Sequence, residues 1–154
     1  MIRLKADLHA HSSDDRMDRI SYSSERLIDI VAGKGFQVLA ITGHEHLTFR
    51  QSTAEYARER GVLLVPGTEL AIEGKHVLIL NPDEQQASAR SFAELRAFGR
   101  RDAAVIAPHP FYPIASLGQK LIENIDLFDA VEHSSFYFRR IDFNRKAVLA
   151  ARRY

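Results

Sequence analysis

Val38-Leu39-Ala40-Ile41-Thr42 (residues 38–42) is the stretch on which the reading of the fold turns. Four of the five residues are apolar and three are β-branched, the pattern of a buried strand. Upstream, Ser24 reads as the N-cap of a helix over Glu25 to Lys34, and Gly35 stands where a helix-ending glycine belongs. Before that helix, Arg3 to Asp7 reads as a first strand. Downstream, Gln51 to Arg60 is a second helix closed by Gly61. Val62 to Val65 is a third strand, which Thr68 to Ile72 extends beyond a Pro66-Gly67 turn. His76 to Leu80 is a fourth strand, and Ser91 caps a helix reaching about Arg101. Ala103 to Ala107 is a strand, Ile114 to Asn124 is weakly helical, Leu127 to Glu132 is a strand, and Arg140 to Arg153 is a final amphipathic helix. Strand and helix alternate with short connections, which predicts an α/β fold with a largely parallel sheet. An open doubly wound sheet and a β/α barrel both fit. No Gly-x-Gly-x-x-Gly follows the first strand, so a dinucleotide site has no support.

A chain of 154 residues is long enough for one domain with a real core, and a hydrophobic fraction of 45% is ordinary for a globular protein. The formal net charge of +1 gives no global pointer to nucleic acid or to an acidic membrane surface. There is no cysteine, which excludes disulfides, thiolate catalysis and cysteine-type zinc sites. The apolar runs are too short to span a bilayer, and Met1 to Asp7 lacks the apolar segment of a signal peptide, so the expected location is the cytoplasm. Seven histidines stand out: His9, His11, His44, His46, His76, His109 and His133. Without cysteine, any transition-metal site has to be built from histidine and carboxylate.

Most of these histidines fall at the C-terminal end of a predicted strand, where β/α folds gather their active sites. His9-Ala10-His11 is the sharpest case. Side chains two apart on an extended segment project to one side, ~7 Å apart, so both imidazoles can serve one cation or two neighbouring ones. Asp7 is close enough to accept from a ring nitrogen. His44 follows the second strand, where Gly43 lets the backbone approach a site closely, and His46 reads as a rim residue. Glu69 in Gly67-Thr68-Glu69 offers a carboxylate, which can bridge two cations as an imidazole cannot. His109 is set between Pro108 and Pro110, whose fixed φ makes its direction rigid. His76 begins a strand and is the partial exception. Each residue alone has an ordinary reading: an exposed loop pair for His9 and His11, a half-buried strand histidine for His76, a plain turn for His109, a surface residue for His133. Together they track the strand ends too closely for scatter.

Asp7-Leu8-His9-Ala10-His11-Ser12 resembles the opening motif of the PHP family, named for polymerase and histidinol phosphatase. Ala40-Ile41-Thr42-Gly43-His44 resembles its second motif, Gly67-Thr68-Glu69 its third, and His76 and the His109-Pro110 pair its fourth and fifth, in order from Asp7 to about Glu132. The resemblance implies a distorted seven-stranded β/α (TIM-like) barrel, with residues 1–154 as a single domain. It implies a cluster of up to three divalent cations, zinc, manganese or iron. His9, His11, His44, Glu69, His76 and His109 are the implied ligands, Glu69 bridging, and Glu69 and His109 count as catalytic. The implied activity is hydrolysis of a phosphomonoester or phosphodiester by metal-activated water. The implied partner is a small phosphorylated substrate, a nucleotide or oligonucleotide among the candidates; no membrane partner is expected, and a homo-oligomer is compatible. The rivals are a metal-dependent amidohydrolase and a non-catalytic metal-binding remnant.

Three departures bear on this. Gly43 stands where the family's Thr-Asp-His motif has aspartate. Asp14, Asp15 and Asp18 all compete for an acidic position after the first motif. The chain reaches Tyr154 before the family's last strand and its aspartate-histidine motif, so an incomplete barrel is expected. Arg16, Arg19 and Arg139 are candidates to neutralise a phosphate, though such a residue is more often a solvated surface charge. Arg139, Arg140, Arg145, Arg152 and Arg153 read better as a solvated helix face than as a nucleic-acid contact.

Overall fold

The structure, a computed structural model, describes residues 3–135, 137–138 and 141–154. The chain divides into two compact units, Met1–Glu69 and Leu70–Tyr154.

The first unit contains β1 (Ala6–Ala10), α1 (Ser24–Gly33), β2 (Val38–His44), α2 (Gln51–Glu59) and the first part of β3 (Leu63–Ile72), a strand that runs through the division. The three strands are parallel in the order β1-β2-β3. Between β2 and β3 the register is unbroken from Val38 opposite Leu63 to His44 opposite Glu69. The chain therefore stays extended through Pro66 and Gly67, which pair in register with Ile41 and Thr42, and the expected turn there is absent. Between β1 and β2, Asp7 faces Leu39 and Ala10 faces Ile41. Three steps on one strand match two on the other, so β1 carries an extra residue around Leu8 and His9, as a bulge does. The first strand also begins later than expected, and His9 lies within it.

Helix α1 starts one residue early. Ser23, not Ser24, is its N-cap, with Oγ accepting from Arg26 N–H. Ser24 is freed to turn inward and is buried. Leu27, Ile28 and Val31 fall on one face of α1 and pack with Leu39 and Ile41 of β2, Ala57 of α2, and Val62 and Leu64. That spacing is the helical period that buries one stripe.

The second unit holds the end of β3, then β4 (Lys75–Leu80), α3 (Glu84–Ala87), α4 (Phe92–Phe98), β5 (Ala104–Ala107), α5 (Gln119–Glu123), a 3-10 turn at Ile125–Leu127, β6 (Ala130–Val131), a ribbon of β7 (Tyr137–Phe138) and β8 (Ile141–Asp142), and α6 (Asn144–Arg153). Its strands are ordered β3-β4-β5-β6. Glu73 and Gly74, both left-handed at φ 49° and 73°, make a two-residue hairpin turn between β3 and β4. That turn reverses the chain, so β4 is antiparallel to β5, whereas β5 and β6 are parallel. The largely parallel sheet expected above is corrected at this strand. The core joins Leu70, Ile72, Val77 and Ile79 to Leu95, Val105, Leu117 and Leu121.

Local chemistry explains the other differences. Asp83 and Gln86 form a reciprocal capping box that starts α3, a helix not anticipated. The Ser91 helix has the same device with Glu94 but ends at Phe98, where Gly99 takes φ 72°. The strand expected over Leu127 to Glu132 shortens to Ala130–Val131 because the 3-10 turn takes its beginning. The last helix begins at Asn144; Arg139 and Arg140 lie outside the described residues. The mixed α/β class is as expected, and among the described residues the main sheet has six strands. Among the described residues, no helix is long and apolar enough to cross a membrane.

Candidate metal centre

In the first unit the β2–β3 register sets His44 beside Glu69 at the last rung of their parallel ladder. Glu69 is 1% exposed. Its Oε2 lies 3.3 Å from His9 Nε2, 3.4 Å from His11 Nε2 and 3.2 Å from His44 Nε2. The rings of His11 and His44 stack at 4.7 Å, and those of His9 and His11 meet edge-on at 5.2 Å. Four of the expected site residues are thus drawn together on and just after three neighbouring parallel strands.

Asp15 organises them from the loop after β1. One of its carboxylate oxygens accepts from His11 Nδ1 at 2.8 Å, from His44 Nδ1 at 2.8 Å and from the His44 backbone N–H at 3.1 Å. The other accepts from Met17 N–H at 2.8 Å and Asp18 N–H at 3.4 Å. Burial alone would raise the Asp15 carboxyl. The bonds from Met17, His11 and His44 outweigh it and hold the group well below the usual carboxylate range. Burial likewise disfavours charge on His11, but the Glu69 and Asp15 carboxylates beside it prevail and raise its affinity for a proton. A carboxylate only accepts, so Nδ1 of both rings carries a hydrogen and Nε2 is the atom turned toward Glu69. This is the arrangement in which a carboxylate fixes the tautomer of a ligand histidine. Asp15 and Asp18, with His11 and His44, offer ligand atoms all within 4.8 Å of one another.

Of the three competing aspartates, Asp15 is therefore the one that orients the histidine rings. Asp14 accepts instead from Ser24 Oγ at 2.7 Å and from Arg50 at 3.4 Å, and Asp18 is exposed. Asp7 takes the His9 backbone N–H at 3.4 Å. His46 points Nδ1 at the His44 carbonyl, 2.7 Å, and Nε2 at the Asp14 carbonyl, 3.2 Å. Both of its ring nitrogens face backbone acceptors, in keeping with a rim residue. Arg16 and Arg19 are exposed.

In the second unit His76 opens β4 and His109 follows β5, their rings edge-on at 5.4 Å. His109 adopts φ 28°, an uncommon backbone for a residue with a side chain, and its N–H donates to Glu132 at 2.6 Å. Tyr112 packs edge-on against the His109 ring at 6.4 Å. Glu132 was not among the expected site residues; its position at the end of a predicted strand was the available sign. His133 is exposed, as are Arg145, Arg152 and Arg153 on α6, which fits a solvated helix face.

No family model matches the chain. An amidohydrolase from Chromobacterium violaceum aligns at 25% identity over 51% of this chain and 28% of its own length, with a TM-score of 0.45. A protein assigned as a metal-dependent phosphoesterase, from Bifidobacterium adolescentis, shares the fold over 97% of this chain and 84% of its own, with a TM-score of 0.68 at 14% identity. The uncharacterized protein MJ1587 of Methanocaldococcus jannaschii is 30% identical over 147 residues, 88% of this chain and 84% of the relative, and the chain belongs to the family of that protein.

Proposed function

We propose that the chain is a metal-dependent phosphoesterase of the PHP family, hydrolysing a phosphomonoester or phosphodiester of a nucleotide or small phosphorylated metabolite. One observation carries the reading. Asp15 holds Nδ1 of His11 and His44, and both rings, with His9, turn Nε2 to a single buried oxygen of Glu69. Their spacing from that oxygen, 3.2–3.4 Å, suits ligands of one ion. A tetrahedron drawn with bonds of about 2.0–2.1 Å has edges of about 3.3–3.4 Å. The donors are nitrogen and oxygen only, which suits zinc, manganese or iron. The fold shared with the Bifidobacterium protein, and the activity assigned to it, point the same way.

His9, His11, His44 and Glu69 would hold the cation or cations, Glu69 bridging, and in the second unit His76 and His109 would offer further ligand nitrogens, as the resemblance implies. A bound divalent cation lowers the pKa of a coordinated water and offsets the charge of a phosphoryl group. The chain itself supplies orientation. Asp15 keeps two rings in the ligating tautomer, and Glu69 brings a buried negative charge that three imidazoles alone would lack. Arg16 and Arg19, flanking Asp15 in the same loop, are the candidates to meet a phosphate.

The test is elemental analysis after mild dialysis, followed by hydrolysis of p-nitrophenyl phosphate and bis(p-nitrophenyl) phosphate with added manganese or zinc. At least one equivalent of metal is expected, with turnover abolished by EDTA and restored by metal. A protein equally stable with and without metal and binding none would overturn the reading. Metal-loaded protein that cleaves amides or lactones but no phosphoester would assign an amidohydrolase instead, and loaded protein with no turnover a binding protein.

A further inference from the structure

We infer that His46 is a positioning residue for the metal centre, its ring tying the end of β2 to the loop that carries Asp15. The inference rests on the metal reading above. Asp15 can set the tautomers of His11 and His44 only if its loop stays docked on β2, and the Asp15 carboxylate supplies one side of that docking. His46 adds a contact on the other side, beside those of Asp14 with Ser24 and Arg50. Glu45, left-handed at φ 61°, turns the chain back immediately after His44. The His46 ring then reaches the carbonyl of His44 with Nδ1, at 2.7 Å, and the carbonyl of Asp14 with Nε2, at 3.2 Å. One of these residues is an expected ligand and the other adjoins Asp15. Carbonyl oxygens only accept, so the ring N–H, whichever nitrogen carries it, donates to one of these two carbonyls, and both nitrogens face backbone oxygens.

The neighbouring glycine makes this geometry accessible. A Cβ on Gly43 would lie 3.1 Å from His46 Cε1, 3.4 Å from His46 Nε2 and 2.9 Å from Thr48 Oγ1. Thr48 cannot retreat cheaply, because its hydroxyl accepts from Gly43 N–H at 3.1 Å and donates to the Ile41 carbonyl at 3.3 Å. A side chain at position 43 would therefore press on the Thr48 hydroxyl and push the imidazole off its present contacts by a few tenths of an ångström.

The experiment titrates zinc against a chromophoric chelator with the full chain and four variants. His46→Ala removes the ring and its N–H. His46→Asn keeps an amide N–H near the Nδ1 position, and His46→Gln keeps one near Nε2. Gly43→Ala keeps His46 but crowds its ring and the Thr48 hydroxyl. Loss of an outer partner of a ligand typically weakens metal binding about 10–100-fold. The expected result is a weakening of about ten-fold or more in His46→Ala and a smaller one in Gly43→Ala, with unchanged stoichiometry and partial recovery in Asn and Gln. Melting of the metal-free proteins is followed in parallel. A merely structural role would lower the melting temperature and leave the zinc affinity of the folded protein unmoved, which overturns the inference. Loss of a whole equivalent of zinc in His46→Ala would make His46 a ligand and overturn it equally. Wild-type protein that binds no zinc sinks the metal reading and this inference together; wild-type binding with unmoved variants sinks this one alone. If His46→Ala does not fold, Asn and Gln carry the comparison.

Discussion

Replacing Asp15 by asparagine tests the centre at its most connected atom. The amide keeps one acceptor oxygen. With that oxygen in the place of the one nearest the histidines, it still faces Nδ1 of His11 and His44, both at 2.8 Å now, and the NH2 group is driven against Met17 N–H, also at 2.8 Å. A donor facing a donor leaves the part-buried Met17 N–H without its acceptor, about 1 kcal/mol of stability in the metal-free protein, the low end of the cost of an unmet donor. The two ring bonds persist but lose their charge assistance, roughly half their strength. With the amide flipped, the rings must accept at Nδ1, which moves their hydrogens to Nε2, the atom required by a cation. Both orientations weaken the centre, and loss of an outer carboxylate is worth about 10–100-fold in affinity, or about 1.4–2.7 kcal/mol. Chelator competition reads the affinity, and urea unfolding of the metal-free protein reads the stability separately. An Asp15→Asn protein that binds metal as tightly as wild type would refute the claim that this carboxylate sets the ring tautomers.

Glu69→Gln should release more metal than any single histidine substitution, because a neutral amide is a poor bridge between cations; unchanged metal content on elemental analysis would make Glu69 an ordinary buried glutamate. A pH prediction comes from the outer face of α1 and α2, where Tyr56 donates to Asp29 at 3.1 Å and Arg60 lies over the Tyr56 ring. Burial, then the Asp29 carboxylate, raises the Tyr56 phenol above its ordinary value near 10.0. Asp29→Asn removes the negative charge and leaves Arg60, which favours phenolate, so the Tyr56 titration, read in the ultraviolet against Tyr56→Phe, should move down in pH; no movement would remove Asp29 as a cause.

Much of the first unit was legible because its information is local. A buried strand run, a helix with a serine cap and a closing glycine, and ligand-type residues at strand ends fix β2, α1 and the neighbourhood of His44 and Glu69. What was not legible depended on pairing. The slip between Asp7 and Ala10 against Leu39 and Ile41 is a property of two strands, so reading β1 alone ended it too early. Pro66 looks like a break in isolation, yet it sits in an unbroken ladder opposite Ile41. The choice among Asp14, Asp15 and Asp18 is likewise tertiary. Ser24, freed from capping by Ser23, takes Asp14, and the ring nitrogens of His11 and His44 converge on Asp15.

His76 shows how a sound rule can mislead when a strand's direction is unknown. Active-site residues of β/α folds gather at the C-terminal ends of strands, and His76 stands at the start of one. The rule assumes that every strand points the same way. Glu73-Gly74 is a two-residue turn of the hairpin type, and a hairpin has to send β4 back against its neighbour. Reversal exchanges the ends: the first residues of β4 then lie at the same end of the second unit's sheet as the last residues of β5. The ring of His76 accordingly meets that of His109, 5.4 Å away, although one opens its strand and the other follows its own. The turn dipeptide was visible in the sequence, and reading it as a hairpin would have turned the one exception into a further instance of the rule.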